Sequence, residues 1–345
     1  MCPKVAIVYN EPSPCRYSAM GEERAVLGVL DAAAAVHRAL NELGYPVLQV
    51  SLSPSLERAR QRLMNLAVDL VFNLFEGFDG RPETEAIMAD ILSELGIPYT
   101  GCPGAALAIA LDKAKAKALL EASGIDTPRY QLLSPETLSR FALGYPCIIK
   151  PCGEDASHGL LEESVVNNFA SLEKQVARVS KLFGGKALVE EFMGGREFNA
   201  TVLGNGELTV LPISEIVYSL PSIMPNVLTF AAKWEPDSMY FQRTNVICPA
   251  EIEKEQREDI IETAKAVFRL VGCRGYARVD MRLDTEGRLM VLEVNPNPDI
   301  SPGFGAARQA EAAGMTYNQF IERIVLLALE ADCDETRNPA YVQPG

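Results

Sequence analysis

Residues 275–284 of this 345-residue chain spell GYARVDMRLD, and residues 289–297 spell LMVLEVNPN. In both stretches apolar residues alternate with polar ones, which is the period of a half-buried β-strand. The intervening TEGR, at residues 285–288, predicts a turn that joins the two strands into a hairpin. No other stretch of the chain is as informative about the fold class.

The polar side chains of this hairpin fall on defined faces. Arg278 and Asp280 share a face of the first strand, and Glu293 and Asn295 share a face of the second. If the two faces meet, three oxygen ligands and one guanidinium converge. Hard oxygen ligands suit Mg²⁺ held between protein and nucleotide phosphates, and a fixed arginine suits a developing negative charge. A surface hairpin with ordinary alternating charge is the alternative interpretation.

Composition and charge narrow the class of protein. The chain is long enough for two or three domains, and its formal net charge of −14 argues against a groove that tracks nucleic acid. None of the eight cysteines forms a CxxC pair and only two histidines are present, which argues against zinc. The first four residues, MCPK, are followed directly by a short apolar strand at residues 5–9, which is too short for a signal peptide or membrane span. We therefore expect a cytoplasmic protein without membrane or nucleic-acid partners.

The first 104 residues alternate strand and helix patterns. We predict strands at residues 5–9, 46–50 and 69–74 and helices at residues 31–43, 55–66 and 83–95. This βαβα order predicts a parallel sheet with helices on its faces, the N-terminal domain of residues 1–104.

Two further units follow, each predicted to be a domain. Residues 105–190 form a central unit of helices and strands, and residues 191–330 form a strand-rich unit with helices at 251–271 and 317–329. Residues 331–345 are polar and contain proline, which is typical of a tail.

Chemistry-bearing residues occur in a particular order along these units. Lys113 follows a helix, Lys150 ends an apolar strand, residues 190–197 spell EEFMGGRE, and the polar hairpin comes last. This ordered set resembles the ATP-grasp superfamily, and within it the D-alanine–D-alanine ligase branch, from about residue 71 to residue 329. The resemblance implies a three-domain α/β ATP-grasp fold.

The resemblance also implies roles for individual residues. Lys113 and Lys150 would contact ATP phosphates, Ser157 would lie in the phosphate loop (residues 151–159), and Lys233 would reach the terminal phosphate from a mobile loop. The adenine would meet Glu190 and the backbone near Met193, and the ribose would meet Glu197. The remaining implied roles are two Mg²⁺ ions, with Mn²⁺ as a substitute, on Asp280, Glu293 and Asn295, and the reacting carbonyl beside Arg278 and Gly303.

The implied function is ATP- and Mg²⁺-dependent ligation of a carboxylate to an amine through an acyl phosphate. The partners would be small-molecule carboxylates and amines, and a homodimer is the family expectation. D-Alanyl-D-alanine is the nearest family product, and another amino-acid pair is about as well supported. Two alternatives stay open: an ATP-grasp ligase that activates a non-amino-acid carboxylate, and a nucleotide-binding protein without turnover.

The chain departs from the family mainly where the amino acids would bind. Glu22 or Glu23 would have to supply the glutamate that binds the first ammonium group, and Glu76 replaces a family histidine. The phosphate loop contains EDAS instead of a Gly-Ser-Ser run, and Trp234 replaces a tyrosine. The serine expected after Gly303 is missing, and the nearby Arg308 is a hypothetical partner for a substrate carboxylate.

Overall fold

The computed structural model describes residues 2–13 and 15–337, whose strands form three sheets. The first sheet is parallel, in the order β2-β1-β3, and has helices between its strands. Its elements are β1 (Val5–Asn10), α1 (Arg16–Ala19), α2 (Glu23–Glu42), β2 (Val47–Leu52), α3 (Leu56–Met64), β3 (Leu70–Asn73) and α4 (Glu83–Glu94). The predicted βαβα order and parallel sheet are therefore confirmed.

Helix α2 begins at Glu23, well before the predicted start at residue 31. Its buried positions include Ala25, Val29, Ala32 and Val36, which recur at the three- and four-residue spacing of a helix face. Charged residues dominate its first turn, so the hydrophobic pattern becomes clear only later in the sequence.

The second sheet is antiparallel, in the order β4-β7-β5-β6. Two helices precede it and α7 packs against it. The elements are α5 (Gly104–Leu111), α6 (Lys113–Ala122), β4 (Tyr130–Leu133), β5 (Cys147–Pro151), β6 (Val165–Val166), α7 (Phe169–Phe183) and β7 (Ala187–Glu191).

The third sheet has the order β11-β10-β8-β12-β13, with β9 paired to β8. The predicted hairpin is confirmed as the antiparallel pair β12–β13, in which Asp280 faces Glu293 and Arg278 faces Asn295. The strands are β8 (Glu197–Gly204), β9 (Leu208–Val210), β10 (Ser214–Tyr218), β11 (Thr244–Ile247), β12 (Gly275–Leu283) and β13 (Leu289–Pro296). The helices are α8 (Phe230–Trp234), α9 (Met239–Arg243), α10 (Lys254–Val271), α11 (Gly305–Ala312) and α12 (Tyr317–Arg337).

Helix α12 corrects one prediction, because it continues to Arg337 through the first part of the predicted tail. Residues 338–345 lie outside the described part of the chain. No helix among the described residues has the length and apolarity needed to cross a bilayer.

The hydrophobic cores do not coincide with the three predicted domains. One core joins Val8 of the first sheet to Ala200 and Val279 of the third sheet, whereas the second sheet has a core of its own. The division at residues 104 and 190 therefore stays a proposal. The shared core places the first and third sheets on one side of a cleft and the second sheet on the other.

Gly104 lets α5 approach α4 closely. A Cβ atom there would lie 2.5 Å from the carbonyl oxygen of Ala86. We expect Gly104→Ala to lower the free energy of unfolding by about 1–3 kcal/mol, because the backbone must shift to relieve the overlap. Urea unfolding measures the change. Gly206→Ala, where a Cβ meets nothing within 4 Å, is the control, and equal stability of the two variants would contradict the prediction.

Candidate active site

A cleft lies between the second and third sheets, and the empty space in it, open solvent included, is about 830 Å³. Most of the predicted site residues line it: Lys113, Lys150, Ser157, Glu190, Met193, Glu197, Lys233, Asp280 and Glu293. The other predicted residues, Arg278, Asn295 and Gly303, are not in its lining. Arg278 and Asn295 nevertheless contact Asp280 directly, and Gly303 lies in the turn before α11.

Asp280 is held in a single orientation by three side chains. Arg278 Nε and Nη2 donate to its two oxygens at 2.7 and 2.8 Å. Asn295 Nδ2 donates at 3.0 Å, and Asn199 Nδ2, from β8, donates at 2.7 Å. Sequence reasoning missed Asn199, although it lies two residues after Glu197 on a strand where polar and apolar residues alternate. Asp280 is therefore fixed before any ligand binds.

Glu293 lies among positive charges. Lys113 Nζ is 3.4 Å from Glu293 Oε2. Burial alone would raise the pKa of Glu293, but Lys113, Lys150, Lys233 and Arg278 outweigh it and lower that pKa to about 2. The side chain is therefore ionised at neutral pH and neutralises part of the positive charge around it.

Glu190 is clamped between two lysines. Its oxygens lie 2.9 Å from Lys117 Nζ and 2.7 Å from Lys150 Nζ, and its side chain is 1% exposed. Burial opposes the charge on Glu190, but the two lysines prevail and lower its pKa. Both carboxylate oxygens are thus paired with lysines while Glu190 still lines the cavity, so its contact with an adenine amino group stays a prediction. Sequence reasoning missed Lys117, whose only signal was its spacing of four residues from Lys113.

Glu197 also has partners within the protein. Tyr218 donates to its Oε2 at 2.8 Å, and Arg282 Nη1 lies 3.2 Å from the same oxygen. Arg282 lines the cavity and packs against the rings of Phe192 and Tyr218. Sequence reasoning missed Tyr218 and Arg282. Arg282 was detectable in principle, because it is two residues beyond Asp280 on the same strand.

Lys233 differs from the other lysines in the cavity. It is carried by α8, whose start is capped by Thr229 accepting from the Ala232 N–H. Burial and the charge of Arg278 lower its pKa. No hydrogen bond or ion pair holds its ammonium among the described residues, so it is free to meet a ligand.

The hairpin donors fit a divalent cation that binds phosphate. Asp280 and Glu293 face each other across the strands, and Asn295 lies beside Asp280. Mg²⁺ is usually bound by one or two carboxylates, with phosphates and water completing the octahedron. No three His, Cys, Asp or Glu side chains of the described residues form a self-sufficient metal site, so other ligands would have to complete the coordination.

The residues considered as ligands of the amino-acid substrates differ in their burial and in their partners. Glu22 is buried, and its oxygens bind His158 and the Gly159 N–H, whereas Glu23 is exposed on α2. Arg308 donates to the Gly303 carbonyl.

Glu76 has a carboxylate with no hydrogen-bond or ion-pair partner among the described residues, and its backbone N–H donates to Asn10 Oδ1. The Glu76 side chain reaches solvent, although desolvation by the surrounding protein atoms, followed by the charges of Asp299 and Asp155, raises its pKa. Asp155 lines the cavity, so this carboxylate lies near the cavity on the side of the phosphate loop.

Comparisons with known proteins agree with this geometry. A family model described as "D-ala D-ala ligase C-terminus" matches residues 119–326. An uncharacterized protein of Sinorhizobium fredii is 35% identical over 259 residues, which cover 75% of this chain and 74% of that protein. A D-alanine–D-alanine ligase of Alcanivorax borkumensis is 30% identical over 316 residues, which cover 89% of this chain and 91% of that enzyme.

The fold is also that of a solved ligase. The crystal structure of the Bacillus anthracis D-alanine–D-alanine ligase complexed with ATP matches with a TM-score of 0.73 at 21% identity, covering 97% of this chain and 99% of that one. The predicted resemblance and fold class are thereby confirmed. The chain belongs to the D-alanine–D-alanine ligase family and is an ATP-dependent, ADP-forming carbon–nitrogen ligase with the ATP-grasp fold.

Proposed function

We propose that this enzyme activates the carboxylate of one amino acid with ATP and joins it to the amine of a second. The observation that carries the proposal is the group of cations around Glu293: Lys113, Lys150 and Lys233 line the cavity with it, and Arg278 binds the neighbouring Asp280. Phosphoryl transfer to a carboxylate requires charge neutralisation and positioning more than covalent help, and these cations provide both.

For the nucleotide, we propose that Lys113 and Lys150 bind phosphates and that Ser157 and the phosphate loop cover them. Glu197 would bind the ribose, and the backbone near Met193 would bind the adenine edge. Glu190, whose carboxylate is paired with Lys117 and Lys150, would position these lysines and contact the adenine amino group.

For the metal, Asp280, Glu293 and Asn295 would hold Mg²⁺, and we propose two ions, with Mn²⁺ as a substitute. When bound, the metal supplies charge neutralisation at the transferring phosphoryl group.

For the chemistry, the first carboxylate attacks the terminal phosphorus of ATP and ADP leaves, giving an acyl phosphate. The second amine then attacks the acyl carbon, loses a proton, and phosphate departs from the tetrahedral intermediate. Arg278 and the backbone N–H groups near Gly303 are our candidates to stabilise its oxyanion. Lys233, whose ammonium has no partner among the described residues, would contact the phosphoryl group as it is transferred.

For the substrates, we propose that Glu76 binds an ammonium group, since its carboxylate is unpartnered while Glu22 is already engaged. D-Alanine is the first substrate to test, given the enzyme of Alcanivorax borkumensis. The free thiols of the described cysteines support a cytoplasmic location. A homodimer is proposed from the family alone.

The test of the function is phosphate release from Mg-ATP with D- and L-amino acids, singly and in pairs, with mass detection of the products. We expect one amino-acid pair to yield a conjugate with one phosphate released per bond formed. Turnover only with other carboxylates in the presence of hydroxylamine would contradict the amino-acid proposal. ATP binding with no turnover under any condition would contradict ligase activity altogether.

Glu293→Gln tests the metal assignment. Loss of the carboxylate charge removes one hard ligand, so we expect the apparent Mg²⁺ affinity to fall at least about tenfold. Mg²⁺ titration at saturating ATP measures it. Glu286→Gln, an exposed carboxylate in the turn of the same hairpin, is the control. An unchanged Mg²⁺ requirement in Glu293→Gln would refute the assignment.

The pH dependence tests the role of Glu76. With a pKa of about 8, this carboxyl holds its proton at neutral pH and ionises as the pH rises. An ammonium group pairs with the ionised form, so the KM for the first amino acid should fall between about pH 7 and pH 9. Glu76→Gln should have a high KM without this step, and Glu57→Gln, on the exposed side of α3, should behave as the wild type. Identical pH profiles in all three proteins would exclude the role.

A further inference from the structure

Two cysteines lie side by side where the first sheet meets the third. Cys102 follows the first sheet and precedes α5, whereas Cys273 follows α10 and precedes β12. They are 171 residues apart in the chain, so their proximity is a product of the fold. Neither thiol has a role in the chemistry proposed above.

The backbone brings the two residues together. Cys102 Sγ accepts from the Arg274 N–H at 3.4 Å and lies 3.3 Å from the Arg274 carbonyl oxygen. The Arg274 nitrogen is the atom that links Arg274 to Cys273, so the sulfur lies beside the peptide unit that joins these two residues. A Cβ atom on Gly275 would lie 3.6 Å from the Gly101 nitrogen, so the two segments also pack directly against each other.

The two thiols differ in exposure and in acidity. Cys102 is fully buried, whereas Cys273 is half-buried. Burial opposes a charge on Cys102, but the Cys273 thiol and the N–H and charge of Arg274 outweigh it and lower the pKa of Cys102. The Cys102 thiol, together with burial, raises the pKa of Cys273. Cys102 is therefore the better nucleophile of the two, and Cys273 is the thiol nearer to solvent.

Cys102 is also connected to the turn that follows β13, the strand with the proposed metal ligands. Its backbone N–H donates to Asn297 Oδ1 at 2.7 Å, and Asn297 Nδ2 donates to Glu85 Oε1 at 3.3 Å. Asn297 has a φ of +55°, in the left-handed region, where a residue with a side chain depends on such contacts. This turn leads to Gly303, whose backbone we propose for the oxyanion.

We propose that Cys102 and Cys273 form a redox-sensitive pair, and that their oxidation to a disulfide by hydrogen peroxide reversibly lowers the activity of the enzyme. The Cys102 thiolate attacks one oxygen of the peroxide and becomes a sulfenic acid, and the other oxygen leaves as hydroxide. The Cys273 thiol then attacks the Cys102 sulfur and expels water, while the hydroxide takes up the proton that Cys102 had lost. Two thiols and one peroxide thus give one disulfide and two waters. Disulfides that form transiently in a reducing compartment usually have a catalytic or sensing role.

The disulfide would act on the site through Asn297. A bond to Cys273 takes the Cys102 sulfur away from its contacts with the Arg274 N–H and the Tyr276 carbonyl oxygen. A disulfide restricts the separation of the two Cα atoms, so we expect the backbone at Cys102 to shift. The shift weakens the hydrogen bond to Asn297, and the turn before Gly303 loses a support. Small displacements of reacting groups lower the rate strongly.

The first test identifies the bond and does not depend on the reaction. The protein is treated with hydrogen peroxide, denatured and alkylated with iodoacetamide, and its peptides are analysed by mass spectrometry with and without dithiothreitol. We expect a crosslinked peptide pair that joins Cys102 to Cys273 and that dithiothreitol separates. Oxidation of the exposed Cys2 shows that the treatment was effective. If Cys2 is oxidised while Cys102 and Cys273 are recovered without a crosslink, the proposal is overturned.

The second test is turnover before and after oxidation, measured as phosphate release. We expect the oxidised wild type to lose on the order of tenfold in kcat and to regain it with dithiothreitol. Cys273→Ser and Cys102→Ala cannot form the bond and should each keep the rate that they have when reduced. Cys248→Ser removes a half-buried thiol after β11 and leaves the pair intact, so it should respond as the wild type does.

An equal loss of activity in oxidised Cys273→Ser and oxidised wild type would contradict the inference. Such a result would assign the loss to another thiol, such as Cys152 in the phosphate loop.

A third measurement separates this inference from the proposed function. Hydrogen exchange at residues 297–303 should be faster in the oxidised wild type than in the reduced protein, with no such difference in Cys273→Ser. If the enzyme joins no amino acids, the proposed function fails, while the crosslink and the faster exchange still support the redox pair. A crosslink that changes neither kcat nor exchange would refute its effect on the site.

Discussion

The site depends on one electrostatic balance, in which the carboxylates of Asp280 and Glu293 are neutralised by the cations around them. The two carboxylates face each other across β12 and β13, and buried like charges repel. Arg278 donates two hydrogen bonds to Asp280, and lysines surround Glu293. Removing one partner from a buried ion pair typically costs about 3–5 kcal/mol, so neither side is stable there without the other.

The balance also organises the fold, because its cations come from different elements. Lys113 begins α6, Lys150 lies in β5, Lys233 lies in α8 and Arg278 lies in β12. The second sheet forms one wall of the cleft and the third sheet forms the other. Charged side chains from both walls line the cleft. The lysines that line the cleft come from both walls, so a negatively charged group bound between them would be attracted from both sides.

Away from the phosphates the charge changes sign. Desolvation by the surrounding protein and the charges of Asp299 and Asp155 raise the pKa of Glu76. A ligase that joins an amine to an activated carboxylate needs two regions of opposite charge. Cations are needed beside the phosphoryl group that is transferred, and an anion is needed where the ammonium group of the substrate binds. Glu22 differs from Glu76 in this respect, because both of its carboxylate oxygens contact the phosphate loop, at His158 and the Gly159 N–H.

The sequence by itself determined the elements and the faces of the strands. Two-residue alternation is a local property, so it correctly placed Arg278 with Asp280 and predicted the β12–β13 pairing across a short turn. The parallel first sheet followed from the same kind of local pattern. The order of the lysines and carboxylates along the chain was enough to identify the family.

Only the tertiary structure decided which distant side chains share a partner. His158 and Glu22 are 136 residues apart in the chain, and Lys117 meets Glu190 only because α6 packs near β7. No periodicity reports such contacts, since they depend on how sheets and loops pack rather than on the pattern within one element. The same packing explains why Glu190, expected at the adenine, is committed to two lysines, and why Glu22, a candidate for the substrate, is committed to a loop.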